Sequence, residues 1–522
     1  MGASQIPRPA RLQDVRTIAD VLEHAAAAVP DTRALVVDDR SVTFAELRSR
    51  ALALAAGLRA RGLRPGDHVA CWFPNSIEFA ECFYAAAYLR LVLVPLNTWY
   101  GARDFDYALR QSDSRALLAV GSFNGRSYAA DIRAALAANE YPALELTAIA
   151  GGTADAVDYE ALIAQGGEAV GERPAPGDAA LMLYTSGTTA FPKGVMNTHD
   201  GLTGNAILLA ERMGIPTGSR YYCPAPFFHA GGAVFCLLAG HASLSTVVAN
   251  GRFTPEAAVE QMRRHRCNVV GGFDTMYVRM LDAFTPEDAG HLEVGWWATG
   301  PAALFRRVER RLGLRLVNLY GLTEASGNVT STPPDWPLER RASGQGIPLP
   351  GRAVRIVDQE SGRPLPANEI GEIRVGGWGV MTEYYRKPDE TRRAIDDEGW
   401  LCTGDLGSID DDGDLHFAGR GRDKLKVGGE NVAPAEIEHV LYEHPAVEEV
   451  AVIGIRDDVY GEVPVAFVKP VPGREIGEEE LRAFAKRQIA GFKVPRTIVF
   501  VEDFPRSSTG KIRKDALAAT AS

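Results

Sequence analysis

The sequence predicts an α/β protein with three parts. These are a large N-terminal domain of layered α/β sheets, a small β-barrel-like module within it, and a small α+β C-terminal domain. Three observations carry this prediction. Strand-length apolar runs alternate with helix-length amphipathic segments from residue 34 to about residue 320, the pattern of βαβ units and a largely parallel sheet. From about residue 343 Gly and Pro become frequent and the apolar runs shorten and alternate. After the charged run Gly419–Lys424, strand and helix patterns resume over about 100 residues, a normal domain size. The predicted boundary puts residues 1–420 in the first domain and 421–522 in the second.

Taken in order, Ala34–Val37 is a short apolar strand. Thr43 precedes a helix over Phe44–Arg61 with Leu47, Ala51, Leu54, Ala55 and Leu58 on one face, closed by Gly62. His68–Phe73 reads as a strand, Ser76–Leu89 as a helix and Leu91–Pro95 as a strand. Arg103–Gln111 and Leu117–Val120 repeat the unit. Ala179–Leu183 is a buried strand running into a polar turn. Helix Asp200–Arg212, with Thr198 or Asp200 as cap, follows. Next come helix Pro255–His265, strand Asn268–Gly271, strand Val294–Ala298, helix Ala302–Leu312 and strand Arg315–Leu319. Val354–Val357, Gly371–Val375 and Leu415–Phe417 form the β-rich module, hairpin-linked or barrel-like. The C-terminal part reads as Ala433–His444, Val447–Ile455, Val463–Val468, Glu478–Ile489 and Thr497–Val501.

Composition excludes several classes. A net charge of −11 argues against a nucleic-acid surface. The six cysteines include no C-x-x-C pair, which disfavours a zinc site and a disulfide framework and points to reduced thiols and a cytoplasmic protein. The first residues contain no apolar stretch of the kind a secretory signal uses, and Ile6 stands where myristoylation wants Ser or Thr. Gly231–Ala249, the longest weakly polar run, contains His241 and reads as buried structure, so no membrane span is expected. A homodimer is compatible with all of this.

Five stretches carry chemistry. Thr185-Ser186-Gly187-Thr188-Thr189, followed by Lys193, offers hydroxyls, backbone N–H groups and a cation, which suits a polyphosphate. Asn318-Leu319-Tyr320-Gly321-Leu322-Thr323-Glu324 lies at a strand's C-terminal end, where ligands of α/β sheets gather. It supplies an aromatic face, a hydroxyl and a carboxylate able to hold Mg²⁺. Asp405, in Gly399–Leu406, can accept from ribose hydroxyls. Gly419–Glu438 contains Arg420 and the Gly428-Gly429 turn. The last stretch is Pro505–Arg513, with Lys511.

In this order and across nearly the whole chain, these motifs resemble the adenylate-forming superfamily, and within it the acyl- and aryl-CoA ligases. The resemblance implies that a carboxylic acid and ATP give acyl-AMP and pyrophosphate, after which the CoA thiol gives acyl-CoA and AMP. It assigns Thr185–Thr189 and Lys193 to the β- and γ-phosphates. Tyr320, Gly321 and Asn318, with the Gly300-Pro301-Ala302 turn, go to adenine. Thr323 goes to the α-phosphate, Glu324 to Mg²⁺, and Asp405 and Arg420 to ribose. Lys511 is the lysine of the adenylation transition state. The C-terminal domain is implied to be mobile, rotating about Arg422 to withdraw Lys511 and bring Gly428-Gly429 to the thiol. Phe228, His229, Gly272, Phe273 and Asp274 are implied for the acyl pocket.

Three residues depart from the family pattern: Ala190 replaces a glycine, Arg422 replaces Asp or Lys, and Asp274 replaces a proline. Asp274 is expected either to cap the next helix or to recognise a hydroxyl or amine on the acid. Two rivals remain open. One is an adenylating enzyme that hands the acyl group to a carrier-protein thiol, an amine or another nucleophile. The other is a non-catalytic acyl-nucleotide-binding homologue.

Overall fold

The computed structural model describes residues 14–152, 156–165, 171–185, 192–285, 291–298, 300–421, 425–427, 430–432, 434–457, 461–507 and 510–518. Two large sheets organise the N-terminal part. The eight-stranded sheet has a parallel core of Ala179–Thr185, Val92–Pro95, His68–Trp72, Ala116–Val120 and Leu146–Ala150. The nine-stranded sheet has a parallel core of Arg315–Leu322, Val294–Ala298, Val269–Phe273, Arg220–Cys223, Thr246–Ala249 and Arg33–Val37.

The period-2 alternation of strands shows how the layers stack. Val69 and Cys71 join one core while Ala70 and Trp72 join another; likewise Val269 and Trp296 separate from Val270 and Trp297. The shared inner core holds one face of each sheet around the helices Ile77–Tyr88 and His199–Met213 and the segment Gly231–Leu238. Helices Pro255–His265, Asp274–Leu281 and Ala302–Leu312 cover the outer face of the nine-stranded sheet. Helices Ala102–Gln111 and Tyr128–Ala138 cover that of the eight-stranded sheet. Five layers result.

Local chemistry fixes the helix starts. Thr43 accepts from the Glu46 N–H while the Glu46 side chain accepts from the Thr43 N–H, a capping box that begins helix Phe44–Ala60. Ser76 and Thr198 cap their helices in the same sense, Thr198 rather than Asp200 taking the second role. Gly231–Leu238 is buried as expected, in π-helical form, a geometry that tends to gather at functional sites.

The β-rich module is the hairpin-linked alternative. It is a four-stranded antiparallel sheet in the order Arg352–Val357, Gly371–Gly377, Leu401–Ile409, Leu415–Arg420. The C-terminal sheet contains Leu425–Val427, Glu430–Val432, Val447–Asp457, Gly461–Pro470 and Thr497–Phe500, covered by helices Pro434–Tyr442 and Glu478–Lys486. Among the described residues no helix is long and apolar enough to cross a membrane.

Candidate active site

The site assembles where strand ends of the nine-stranded sheet meet the four-stranded module and the C-terminal domain. Strand Arg315–Leu322 runs three residues farther than its sequence pattern suggested, so Tyr320 is part of the strand and buried. Its ring stacks near Phe417 at 6.0 Å, and its hydroxyl donates to Asp405 Oδ2 at 2.8 Å. Asp405 and Arg420 are register partners across the hairpin, with Oδ1 and Nε 3.6 Å apart. Burial pushes the Asp405 carboxyl up, and the Tyr320 hydroxyl and the Arg420 guanidinium pull it back. A ribose-sized diol approaching Asp405 would meet a carboxyl group oriented by the Tyr320 hydroxyl and faced by the Arg420 guanidinium.

Thr323–Ala325 make one 3₁₀ turn directly after that strand. Asn197 donates to the Thr323 carbonyl at 3.0 Å, and the Met381 N–H donates to the Glu324 carbonyl at 2.7 Å. The Glu324 carboxylate accepts from the Tyr384 hydroxyl at 2.9 Å, and Lys193 Nζ lies 4.6 Å from the centre of the Tyr384 ring. Tyr384 therefore links the cation after the hydroxyl-rich loop to the carboxylate, a role its sequence context did not signal. Burial and the Glu324 charge both hold the Tyr384 phenol protonated, so it stays a donor.

Thr185 and Lys193 are register partners across antiparallel strands. Ser186, Gly187, Thr188 and Thr189, with Ala190, lie outside the described residues, as do Arg422, Gly428 and Gly429. Asn318 is buried and donates to the Gly344 carbonyl at 2.8 Å, fastening the strand to the module's entry. Gly300 has φ +93°, and a Cβ there would fall 2.6 Å from the Asp274 Cβ. The turn that leads to Pro301 and Ala302 thus requires glycine for backbone and space alike.

Asp274 is not a cap. Phe273 occupies the N-cap position without a side-chain bond, and Asp274 is the first helical residue, its Oδ1 accepting from the Thr275 N–H at 2.8 Å. Its carboxylate shares an electrostatic neighbourhood with Lys511 and with Tyr442 of the C-terminal domain. The domains also touch beside it, where a Cβ on Gly510 would come 2.7 Å from Thr275 Oγ1.

Lys511 lies in this junction, its Nζ 5.8 Å from the centre of the Phe273 ring. Surrounding protein crowds its ammonium, while the residue as a whole keeps exposed surface. Crowding and then Arg420 lower its ammonium pKa, while Asp274 and Asp405 oppose them. His229, in the Pro226–Gly232 turn, is pushed down to about 4, by burial first and by the Lys511 charge second, and is a neutral imidazole near pH 7. Its Nε2 is buried with no hydrogen-bond partner among the described residues. Asn75, silent in the sequence, clamps this turn by donating to the Ala225 carbonyl at 3.1 Å and accepting from the Phe227 N–H at 2.7 Å.

The expected acyl pocket changes in one glycine. Gly272 faces Pro224, Met276 and Tyr277, whereas Gly271 faces Trp296 and shares the inner sheet face with Phe273. A cleft of about 1130 Å³ contains none of the predicted residues. It lies between helix Pro255–His265 and the C-terminal domain, and its lining includes the ion pairs Arg506–Glu449 and Lys469–Glu448.

Residues 22–385 match the AMP-binding enzyme family and residues 436–511 its C-terminal domain. YngI of Bacillus subtilis, which carries the name of an acyl-CoA synthetase, is 36% identical over 95% of this chain and 96% of its own. Among solved structures, the anthranilate CoA ligase AuaEII in complex with anthranoyl-AMP superposes with a TM-score of 0.89, at 26% identity over 99% of both chains. ATP-bound MatB from Rhodopseudomonas palustris gives 0.86, at 30% identity over 96% of this chain and 98% of that one. The motifs, the five-layered fold and the meeting of both domains at Lys511 agree with these likenesses, and the chain belongs to the AMP-binding enzyme family.

Proposed function

We propose that this chain is an AMP-forming carboxylate–CoA ligase. In the first half-reaction a carboxylate oxygen attacks the α-phosphorus of ATP and the bond to pyrophosphate breaks. In the second, the CoA sulfur attacks the acyl carbon, the thiol gives up its proton, and the bond to AMP breaks. The observation that carries this reading is the placement of Lys511. A cation borne by the C-terminal domain stands among His229, Asp274, Asp405 and Arg420 of the N-terminal domain.

Two anions must meet in the first step, so cations are needed where they meet. Lys511 would bridge the acid's carboxylate and the α-phosphate. Asp405 and Arg420 would hold the ribose, with Tyr320 and the Gly300–Ala302 turn beside the base. Thr185–Thr189 and Lys193 would grip the leaving pyrophosphate, and Thr323 would contact the α-phosphate. Glu324 is a hard oxygen donor oriented by Tyr384, which fits Mg²⁺; such an ion would neutralise phosphate charge. Release of Gly510 from Thr275 would free the C-terminal domain to turn away, bringing Gly428 and Gly429 toward the thiol. All six cysteines are free, which suits a reducing compartment such as the cytoplasm.

Carboxylate-dependent exchange of labelled pyrophosphate into ATP tests the first half-reaction. Exchange that requires an acid supports the reading. A protein that binds ATP but exchanges with no acid would be a nucleotide-binding homologue instead.

A further inference from the structure

The segments expected to line the acyl pocket divide into partly open and fully covered residues. His229, Ala230 and Phe273 are partly open, while Gly231, Phe235 and Trp296 are buried. Trp296 lies on the inner face of its strand, opposite to Trp297, and points at the π-helical segment Gly231–Leu238. Its indole takes an edge contact from Phe235 and another from Phe273, each at 5.4 Å. Two glycines leave the space these rings fill. A Cβ on Gly271 would lie 1.9 Å from the Trp296 Nε1, and one on Gly231 would lie 3.0 Å from the Phe273 ring. Volume that could receive an acyl chain is occupied by side chains instead.

We infer that Trp296, backed by Phe273, closes the acyl pocket and restricts the enzyme to compact carboxylic acids, reaching about 5 Å beyond the carboxylate. The inference rests on the ligase reading and deepens it. Its length scale follows from the contacts. Lys511 Nζ is 5.8 Å from the Phe273 ring centre and that ring is 5.4 Å from the indole, so the indole stands no farther than about 11 Å from the ammonium. A carboxylate paired with the ammonium takes up about 3 Å and van der Waals contact with the indole about 3.5 Å. What remains is at most about 5 Å, room for no more than about four extended carbons or a single unextended ring.

Trp296 is held by packing alone. Its Nε1 has no hydrogen-bond partner among the described residues, so replacing the indole orphans no polar group. A smaller side chain would convert ring volume into pocket depth, and each methylene so admitted is worth about 10- to 200-fold in specificity.

The test measures kcat/KM for thioester formation with straight-chain acids of two to ten carbons, and with benzoate against cinnamate, for the wild type, Trp296→Leu and Trp296→Phe. The wild type should prefer acids of five carbons or fewer, and benzoate over cinnamate, and should lose at least tenfold by octanoate. Trp296→Leu should raise octanoate at least tenfold and move the optimum outward by two carbons or more. Should Trp296→Leu not fold, a smaller outward shift in Trp296→Phe serves the same purpose. Wild type that uses octanoate as well as butyrate overturns the inference, as does an unshifted profile in the folded variant. Failure to activate any acid in the panel overturns the ligase reading itself, so the two failures are distinguishable.

Discussion

Tyr384 offers the most discriminating perturbation of the proposed phosphate side. Tyr384→Phe removes one oxygen. It keeps the ring that lies under Lys193 and the packing against Val195, Met381 and their neighbours. The lost interaction is the 2.9 Å bond to the Glu324 carboxylate. A hydrogen bond to a charged group contributes about 1.5–3 kcal/mol. At 1.36 kcal/mol per tenfold, that corresponds to about 10- to 150-fold in kcat/KM if the bond orients Glu324 in the transition state. Stability should fall by no more than this, because the packing remains. The assay is ATP–pyrophosphate exchange beside thioester formation from presynthesised acyl-AMP. The first should drop by the stated factor, and the second should stay within twofold, because no pyrophosphate takes part in it. Exchange within twofold of wild type would refute a role for the Tyr384–Glu324 pair, and equal loss in both half-reactions would mark a general structural defect.

Further outcomes follow from other contacts. Lys511→Ala should abolish exchange yet largely spare thioester formation from acyl-AMP; survival of both half-reactions would remove the assigned role. Asp274→Asn takes away a carboxylate that raises the Lys511 pKa against burial and Arg420, so the basic limb of the exchange pH profile should move to lower pH, and an unmoved limb would separate the two residues. Arg341, buried and paired with Glu309 beneath the Arg315–Leu322 strand, should cost about 3–5 kcal/mol when replaced by Met, measured by urea unfolding. His199, His229 and His241 are each held down to about 4 by burial, below the ordinary 6.5. The unfolded chain binds more protons between those values. Their stabilising effect should therefore be complete above about pH 6.5 and be lost as pH falls toward 4, by at most about 3 kcal/mol each. Urea midpoints that do not fall from pH 7 to pH 5 would contradict this.

Much of the fold was legible because local signals and tertiary packing agree. Thr43 and Ser76 announced their helices, and the alternation of strand and helix patterns announced a largely parallel sheet, which the structure divides into two. The five motifs likewise marked Tyr320, Glu324, Asp405, Arg420 and Lys511, since chemistry at a site demands particular residue types at strand ends and turns. What could not be read lies in contacts between distant segments. Tyr384 is one more apolar-looking residue until Glu324, 60 positions away, accepts a hydrogen bond from its hydroxyl. Trp296 reads as an ordinary core residue, and only the pairing of Gly271 with it shows how the pocket floor is built. Asp274 reads from sequence either as a helix cap or as a carboxylate that recognises the acid. The backbone placed it one position inside, facing the C-terminal domain.

The proposed ligase passes the acyl group through AMP to CoA. The most direct measurement is the stoichiometry of AMP, pyrophosphate and acyl-CoA formed with butyrate and benzoate, with and without CoA. The account predicts equal amounts of all three, dependent on both acid and CoA. ADP and phosphate as products would contradict it, as would AMP released at the same rate without CoA and with no thioester formed.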